Sequence, residues 1–419
     1  MSRNHLPTEP TEATVDGFTH GGEGVARVEG KAVFVPGTIP GERIRLQVTD
    51  DRKRWARGQL LEVLEPSPDR ITPPCPFVPD CGGCNLQHID PDAQRRLKTR
   101  VVREQLERLG GLTDPPVRET RAVGPDTGYR THAQLHADED GRLGFHRAGS
   151  HAVVPVDRCL VMTDEVQALR VAVGDDTGAD EVALRAHGRT GAASVELTAG
   201  PGPLEPPAGD FDLALTQPDG TVATLRGDGR LSEVVAGRTY GFDATSFFQV
   251  TTHGAEALVE AVVGAAGEVS GALVWDLYAG VGLFSLPLAA AGAQVVAVEG
   301  HAAAAEHART NAALNDLNLE VVTEDVAALT RRTVRGEPPA LAPPDVIVLD
   351  PPRSGAGEGV VNDLAAIGPA RIVYVACDVA ALARDTRALT EAGYRLIDAT
   401  PLDLFPMTHH VEVVATFAP

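Results

Sequence analysis

A chain of 419 residues with 43% hydrophobic side chains is long enough for two or three domains with substantial cores. Its formal charge of −21 argues against indiscriminate attachment to nucleic acid, because polyanion binding rests on neutralised phosphates and here must come from local basic patches. Five cysteines in this length make no disulfide framework, no apolar run approaches the roughly 20 residues of a membrane span, and the first residues lack the charged head and apolar core of a signal peptide. The expectation is a cytoplasmic protein with no membrane partner, a monomer by default.

The first ten residues are polar and read as a frayed tail. From Val15 short alternating runs follow, among them "KAVFVPG", "GERIRLQVT" and "GQLLEVL", with Ile44, Leu46 and Val48 alternating with Arg43, Arg45 and Gln47. Broken by Gly and Pro, they predict a small OB-like β-barrel over 8–66. Two basic clusters are candidate phosphate contacts, "RKRWAR" at 52–57, with Trp55 as a stacking indole, and "RRLKTRVVR" at 95–103.

A helix is predicted over 91–109. Asp90 suits the N-cap, Pro91 the first turn, Leu97, Val101, Leu106 and Leu109 one apolar stripe with the arginines facing out, and Gly110 and Gly111 the stop. It is expected to pack on the catalytic domain. Residues from about 117 to 240 are Gly- and Pro-rich with short strands, which predicts a β-rich central domain within 67–240. Tyr129, Arg130 and His132 of "GYRTHAQLHA" are candidate residues for an entrance to the site. After Gly241 strands and helices alternate, including helices at 302–314 and 379–391 and a terminal β pair. Such alternation argues an α/β domain over 241–419, a Rossmann-like parallel sheet wrapped by helices.

In "VWDLYAGVGLFSL" a strand carrying Asp276 runs into Gly280 and Gly282 before a helix. Glycines there let the backbone approach a ligand at the switch point of a doubly wound sheet. Glu299 ends the next strand, 23 positions beyond Asp276, where a carboxylate can accept ribose hydroxyls. Ser285 stands where a dinucleotide fingerprint has its third glycine. S-adenosylmethionine, which has ribose and adenine but no phosphate, therefore fits better than a pyrophosphate cofactor. Asp325, ending the third strand, is a further candidate for the adenine edge.

In "DPPRSG" Arg353 occupies the place where amine methyltransferases carry an aromatic ring. Cys377 ends the next strand and so shares the carboxyl edge with the cofactor. A thiolate adding to C6 of uracil makes C5 nucleophilic enough to take a methyl group. A base must then remove the C5 proton, and Glu412 in "FPMTHHVEVV" is the candidate. Cys75, Cys81 and Cys84, spaced C-x5-C-x2-C, together with Cys159, form a set of four thiolates that closes a [4Fe-4S] cluster or holds zinc.

The ordered series "CPFVPDCGGCNLQH", "SFFQV", "DLYAGVGLFSLPLA", "DPPRSG", "ACDVAALARD" and "FPMTHHVE" resembles the bacterial RNA 5-methyluridine methyltransferases, and the first barrel resembles a TRAM domain. The resemblance spans nearly the whole chain. It implies a class I methyltransferase domain, Cys377 as nucleophile and Glu412 as proton acceptor. It sets Gln249, Tyr278, Glu299 and Asp350 around S-adenosylmethionine, with Asp325 as a further contact, and favours iron and sulfur at the four cysteines. The implied partner is folded RNA, its target uridine turned out of the stack, in ribosomal RNA of the 23S type, with transfer RNA as the alternative. A different acceptor, through N-methylation, is the rival within the enzyme class; an RNA-binding module on a degenerate fold is the rival outside it. Three positions depart from the pattern: Val379 for proline, Thr251 for asparagine, and Leu283 for a polar residue, the last expected to remove one donor contact.

Overall fold

The computed structural model describes residues 6–7, 9–200, 202–338 and 341–419; most of the expected polar tail lies outside them. Strands Thr11–Phe18, Gly24–Val28, Lys31–Val35, Arg43–Asp51 and Trp55–Glu65 close into a barrel. The alternation is the cause. Ile44 and Leu46 point into a core with Val15, Val33 and Val35, while Arg43 and Arg45 turn outward to Glu12, Glu62 and Glu65. In the 52–57 cluster Arg52 and Arg57 pair with Asp50 and Glu23, and Trp55, 37% exposed, leans on Phe34.

The helix Pro91–Arg108 begins where Asp90 takes the N–H groups of Asp92 and Ala93. Val101, Val102 and Leu106 are buried, but Leu109 is 37% exposed, because the buried face is completed by Gln94 and Lys98 instead. Arg96, Arg100 and Arg103 face outward as expected, whereas Lys98 is buried and Arg95 mostly so. Arg95 pairs with Asp92 and Asp126, Arg96 with Asp69, Arg100 with Glu104, Arg103 with Asp114, and Lys98 with Asp403. Each cation of the run thus has an acidic partner within the protein.

The central sheet has seven strands, in the order Val222–Arg226, Asp212–Thr216, Ala192–Ala199, Ala179–His187, His132–Ala137, Leu143–His146 and Val153–Pro155. Helix Asp164–Val173 packs into its core beside Leu135, Leu184 and Leu197. A hairpin, Arg230–Val235 with Arg238–Asp243, then crosses residue 240. Its Leu231, Val235, Tyr240 and Phe242 are buried with the helix Thr252–Ala266 and the catalytic sheet, so the limit expected at 240 falls inside an element of the catalytic layer.

That layer is an eight-stranded sheet, ordered Glu320–Thr323, Gln294–Glu299, Leu273–Leu277, Val346–Leu349, Arg371–Ala376, Glu412–Ala418, Arg395–Asp403 and Arg121–Ala122. The first five strands are parallel. Their continuous apolar runs, such as Val346 to Leu349, are buried, as a sheet covered on both faces requires. Strand order reverses between Leu273–Leu277 and Val346–Leu349, which opens a crevice at their carboxyl ends. The edge strand Arg121–Ala122 and the helix Pro91–Arg108, whose Val102 and Leu106 enter the sheet's core, come from well before residue 241.

Asn311 ties the hairpin to the glycine turn. Its amide accepts from the Gly241 N–H at 2.7 Å and donates to the carbonyls of Gly241 and Val281, each at 3.0 Å. Asn311→Ala strands these backbone groups and is expected to cost about 1–3 kcal/mol, read as a lower denaturation midpoint at unchanged slope.

Candidate active site

Four strand ends converge at the carboxyl edge. Asp276 lies in Leu273–Leu277, Asp350 follows Val346–Leu349, Cys377 follows Arg371–Ala376, and Glu412 opens the returning antiparallel strand. Burial pushes Asp276 and Asp350 up to about 7, Glu299 adding to the first and Asp276 to the second. Glu412 is raised well above its ordinary value by burial and then by Asp350, with Arg353 opposing. Cys377 is pushed up to about 11, first by burial, then by Glu412 and Asp350, again with Arg353 opposing. Water is scarce here, and each negative charge discourages the next.

Local structure fixes the thiol. Asp378 caps the helix Val379–Glu391, its carboxylate accepting from the Ala381 N–H at 2.7 Å, so Cys377 sits just before a helix N-terminus, where a thiolate is favoured. Val379 is fully buried in the core as the first residue of that helix. The barrel also reaches this place, with His20 Nε2 at 3.8 Å from the Asp378 carboxylate.

Beside these groups lies a cavity of about 620 Å³, whose lining includes Gln249, Tyr278, Gly280, Glu299 and Asp350. Glu299 accepts from the N–H groups of Gly280 at 2.8 Å and His301 at 2.7 Å, which fixes the carboxylate while leaving lone pairs for hydroxyl donors. Gly280, at φ +55°, would direct a Cβ into open space, whereas a Cβ on Gly282, at φ +93°, would meet Leu286 at 2.8 Å. Gly282 is absent from the cavity lining and shapes the turn. Tyr278 adopts φ +62°, an uncommon conformation that marks the strand-to-loop turn as strained. A polar rim for ribose at Glu299 and apolar walls at Phe248, Leu283 and Phe284 suit S-adenosylmethionine.

Asp325 is not in this lining. It caps the helix Val326–Val334 by accepting from the Ala328 N–H at 3.0 Å. Thr251 is likewise a cap, to the Gly254 N–H of Thr252–Ala266, and Leu283 walls the cavity while its carbonyl takes the Tyr240 hydroxyl at 3.2 Å. Two features were missed in sequence. Ser285, noted only as a missing glycine, donates its hydroxyl to the buried Asp276 carboxylate. Phe247, 74% exposed, presents a ring at the cavity; its signal was the paired aromatics of "SFFQV".

Cys75, Cys81, Cys84 and Cys159 are all unbridged and line a second cavity of about 280 Å³ with Arg130 and His132. Burial is the first cause raising Cys81 and Cys159 and pushing Cys84 up to about 11; charge on neighbouring cysteines adds to each. Among the described residues no group of three or more His, Cys, Asp or Glu is arranged to hold a metal ion. Of the three residues expected at the entrance, Arg130 and His132 face this second cavity, and Tyr129 is buried with its hydroxyl donating to the Pro406 carbonyl at 2.9 Å.

The fold and the two-walled crevice define a class I S-adenosylmethionine-dependent methyltransferase. Residues 230–417 match the tRNA (uracil-5-)-methyltransferase family and residues 9–61 the TRAM domain. An RNA methyltransferase of Streptomyces coelicolor is 39% identical over 99% of this chain and 94% of its own. The 23S rRNA (uracil(1939)-C(5))-methyltransferase of Alkalilimnicola ehrlichii is 37% identical over 99% of this chain and 98% of its own. The tRNA (uracil-54, C5)-methyltransferase of Pyrococcus abyssi, solved in complex with S-adenosyl-L-homocysteine, superposes over 97% of this chain and 99% of its own with a TM-score of 0.76 at 25% identity. This chain belongs to the TRAM-bearing RNA uracil-C5 methyltransferases. No helix among the described residues is long and apolar enough to cross a membrane.

An acid whose pKa rises on folding binds more protons folded than unfolded between its two values, so stability falls as pH rises through that window. For Asp350 the window runs from 3.8 to about 7. Asp350→Asn should therefore leave the donor-free protein near parental stability at pH 4.5 and raise it by roughly 2–4 kcal/mol at pH 8. Chemical denaturation at the two pH values checks this; an equal effect at both would contradict it.

Proposed function

We propose that this chain methylates C5 of a uridine in 23S ribosomal RNA, with Cys377 as nucleophile and Glu412 as the base. The observation that carries it is the meeting of Cys377, Glu412 and Asp350 at one sheet edge, beside a cavity with Glu299 and Gln249 on its walls. Uracil C5 is a poor nucleophile. The Cys377 thiolate forms a bond to C6, the C5–C6 π pair moves toward the C4 carbonyl, and C5 gains the electron density to accept an electrophile. S-adenosylmethionine supplies the methyl group when bound. Glu412 then takes the C5 proton, the C5–C6 double bond re-forms, and the thiolate leaves with the sulfur–carbon electron pair. Arg353, which opposes the rise of both the Cys377 and Glu412 pKa values, favours the ionised form of each. Glu299, Gln249 and Tyr278 hold the donor.

The ribosomal target draws support from full-length relatives named as 23S rRNA methyltransferases, at 37% and 33% identity, and from the TRAM barrel beside the nucleophile. The transfer RNA reading draws on the Pyrococcus abyssi enzyme and on the tRNA (uracil-5-)-methyltransferase family match. RNA carrying 5-fluorouridine at the target cannot lose a C5 proton. It should lock the parent chain to RNA in a denaturation-resistant adduct, with none formed by Cys377→Ser. Glu412→Gln should accumulate the adduct on ordinary RNA and lose turnover by about 100-fold or more. Methylation without any trapped adduct would sink the scheme. Loss of 5-methyluridine from tRNA rather than 23S rRNA in a strain lacking the gene would move the target.

We further infer that the four cysteines hold a [4Fe-4S] cluster that joins residues 75–84 to Cys159. The support is chemical: four thiolates sharing one buried cavity repel one another unless a cationic group bridges them. The resemblance of "CPFVPDCGGCNLQH" to the family's motif favours iron and sulfur over a lone zinc ion. Protein purified without oxygen should contain iron and acid-labile sulfide, both lost in Cys84→Ser. One zinc per chain and no sulfide would overturn this reading.

A further inference from the structure

Glu412 enters the site at the end of a long turn. Its strand partner is Leu402, and the intervening backbone is irregular, with Met407 at φ +67°. Such a turn has few ladder bonds of its own, so its polar groups must find partners elsewhere. They find them in segments that precede the catalytic domain. Lys98 Nζ reaches the Asp403 carboxylate at 2.5 Å and the Phe405 carbonyl at 3.2 Å. The Tyr129 hydroxyl holds the Pro406 carbonyl. Gln94 accepts from the Met407 N–H at 2.8 Å, and the Leu86 N–H donates to the Met407 carbonyl at 3.0 Å.

The Lys98–Asp403 pair is the unusual member. Both side chains are at most 3% exposed, and burial lowers the Lys98 pKa despite its partner. A buried ion pair is weak as a stabilising device, since well-packed apolar residues of similar size serve as well or better, but it fixes geometry. Asp403 immediately follows Leu402, the residue opposite Glu412. Cys377 is fixed differently, by the Asp378 cap of its own helix.

We propose that Lys98 and Asp403 are positioning residues for proton abstraction by Glu412, and that addition of Cys377 does not depend on them. The proposal rests on Glu412 being the base. Removing one partner alone would strand a buried charge and endanger the fold, so the test replaces both, as Lys98→Met with Asp403→Leu, and uses Gln94→Met as a second, uncharged probe of the same turn. Two rates are compared on saturating RNA: adduct formation with 5-fluorouridine RNA, which needs no proton abstraction, and tritium release from RNA labelled at uridine C5, which does. Cooperative unfolding of each variant shows that it is folded. Adduct formation should stay within about twofold of the parent while tritium release falls tenfold to a hundredfold, the order expected for a misplaced catalytic group. A parallel fall in both rates, or no fall in either, would overturn the proposal. A parent chain that forms no adduct would instead sink the covalent scheme, and that result is read from the parent alone.

Discussion

Three carboxyl groups and one thiol stand largely out of water at one edge of a parallel sheet, and the arrangement of the rest follows from having to hold them there. Burial opposes charge on each of Asp276, Asp350, Glu412 and Cys377, and the neighbouring acids oppose it further. Burial and these neighbours thus oppose ionisation of the site, with Arg353 as the opposing charge at Cys377 and Glu412. A thiol pushed up to about 11 is a poor nucleophile at neutral pH.

The scaffold that holds this edge is assembled from distant parts of the chain. Parallel strands bring Asp276, Asp350 and Cys377 together, because each ends at the same side of the sheet. Glu412 arrives from the opposite direction on an antiparallel strand, which brings its carboxyl group close enough to Cys377 to raise the thiol's pKa. The turn before it is bonded to residues 86 to 129, and the barrel's His20 approaches Asp378. The cysteine-lined cavity sits at the root of this support: Cys84 is two residues from Leu86, and the N–H groups of Gly128 and Tyr129 donate to the carbonyls of Leu160 and Val161 beside Cys159. Barrel and central sheet thus act as structural members of the catalytic centre as well as its surroundings.

Much of this was legible because the signals are local. Alternation at Ile44 and Leu46, the Asp90–Pro91 helix start, the strand–glycine–helix turn at Gly280, and the placement of Glu299, Cys377 and Glu412 at strand ends depend on neighbours within a few residues. What escaped depends on partners far along the chain. Lys98 and Arg95 look like part of a phosphate patch until Asp403 and Asp126 draw them inward. Arg121–Ala122 is too short to show any period, yet it completes the sheet. Tyr129 stands in an exposed-looking motif but is drawn inward by one carbonyl.

The rate of Cys377 alkylation as a function of pH, followed by mass spectrometry of its peptide in the donor-free protein, addresses the central constraint most directly. The thiol should ionise near pH 11 in the parent chain and distinctly lower in Glu412→Gln, where the carboxylate that raises it is gone. Ionisation near 9 in both proteins would contradict this, because the sulfur would then feel neither burial nor its acidic neighbours.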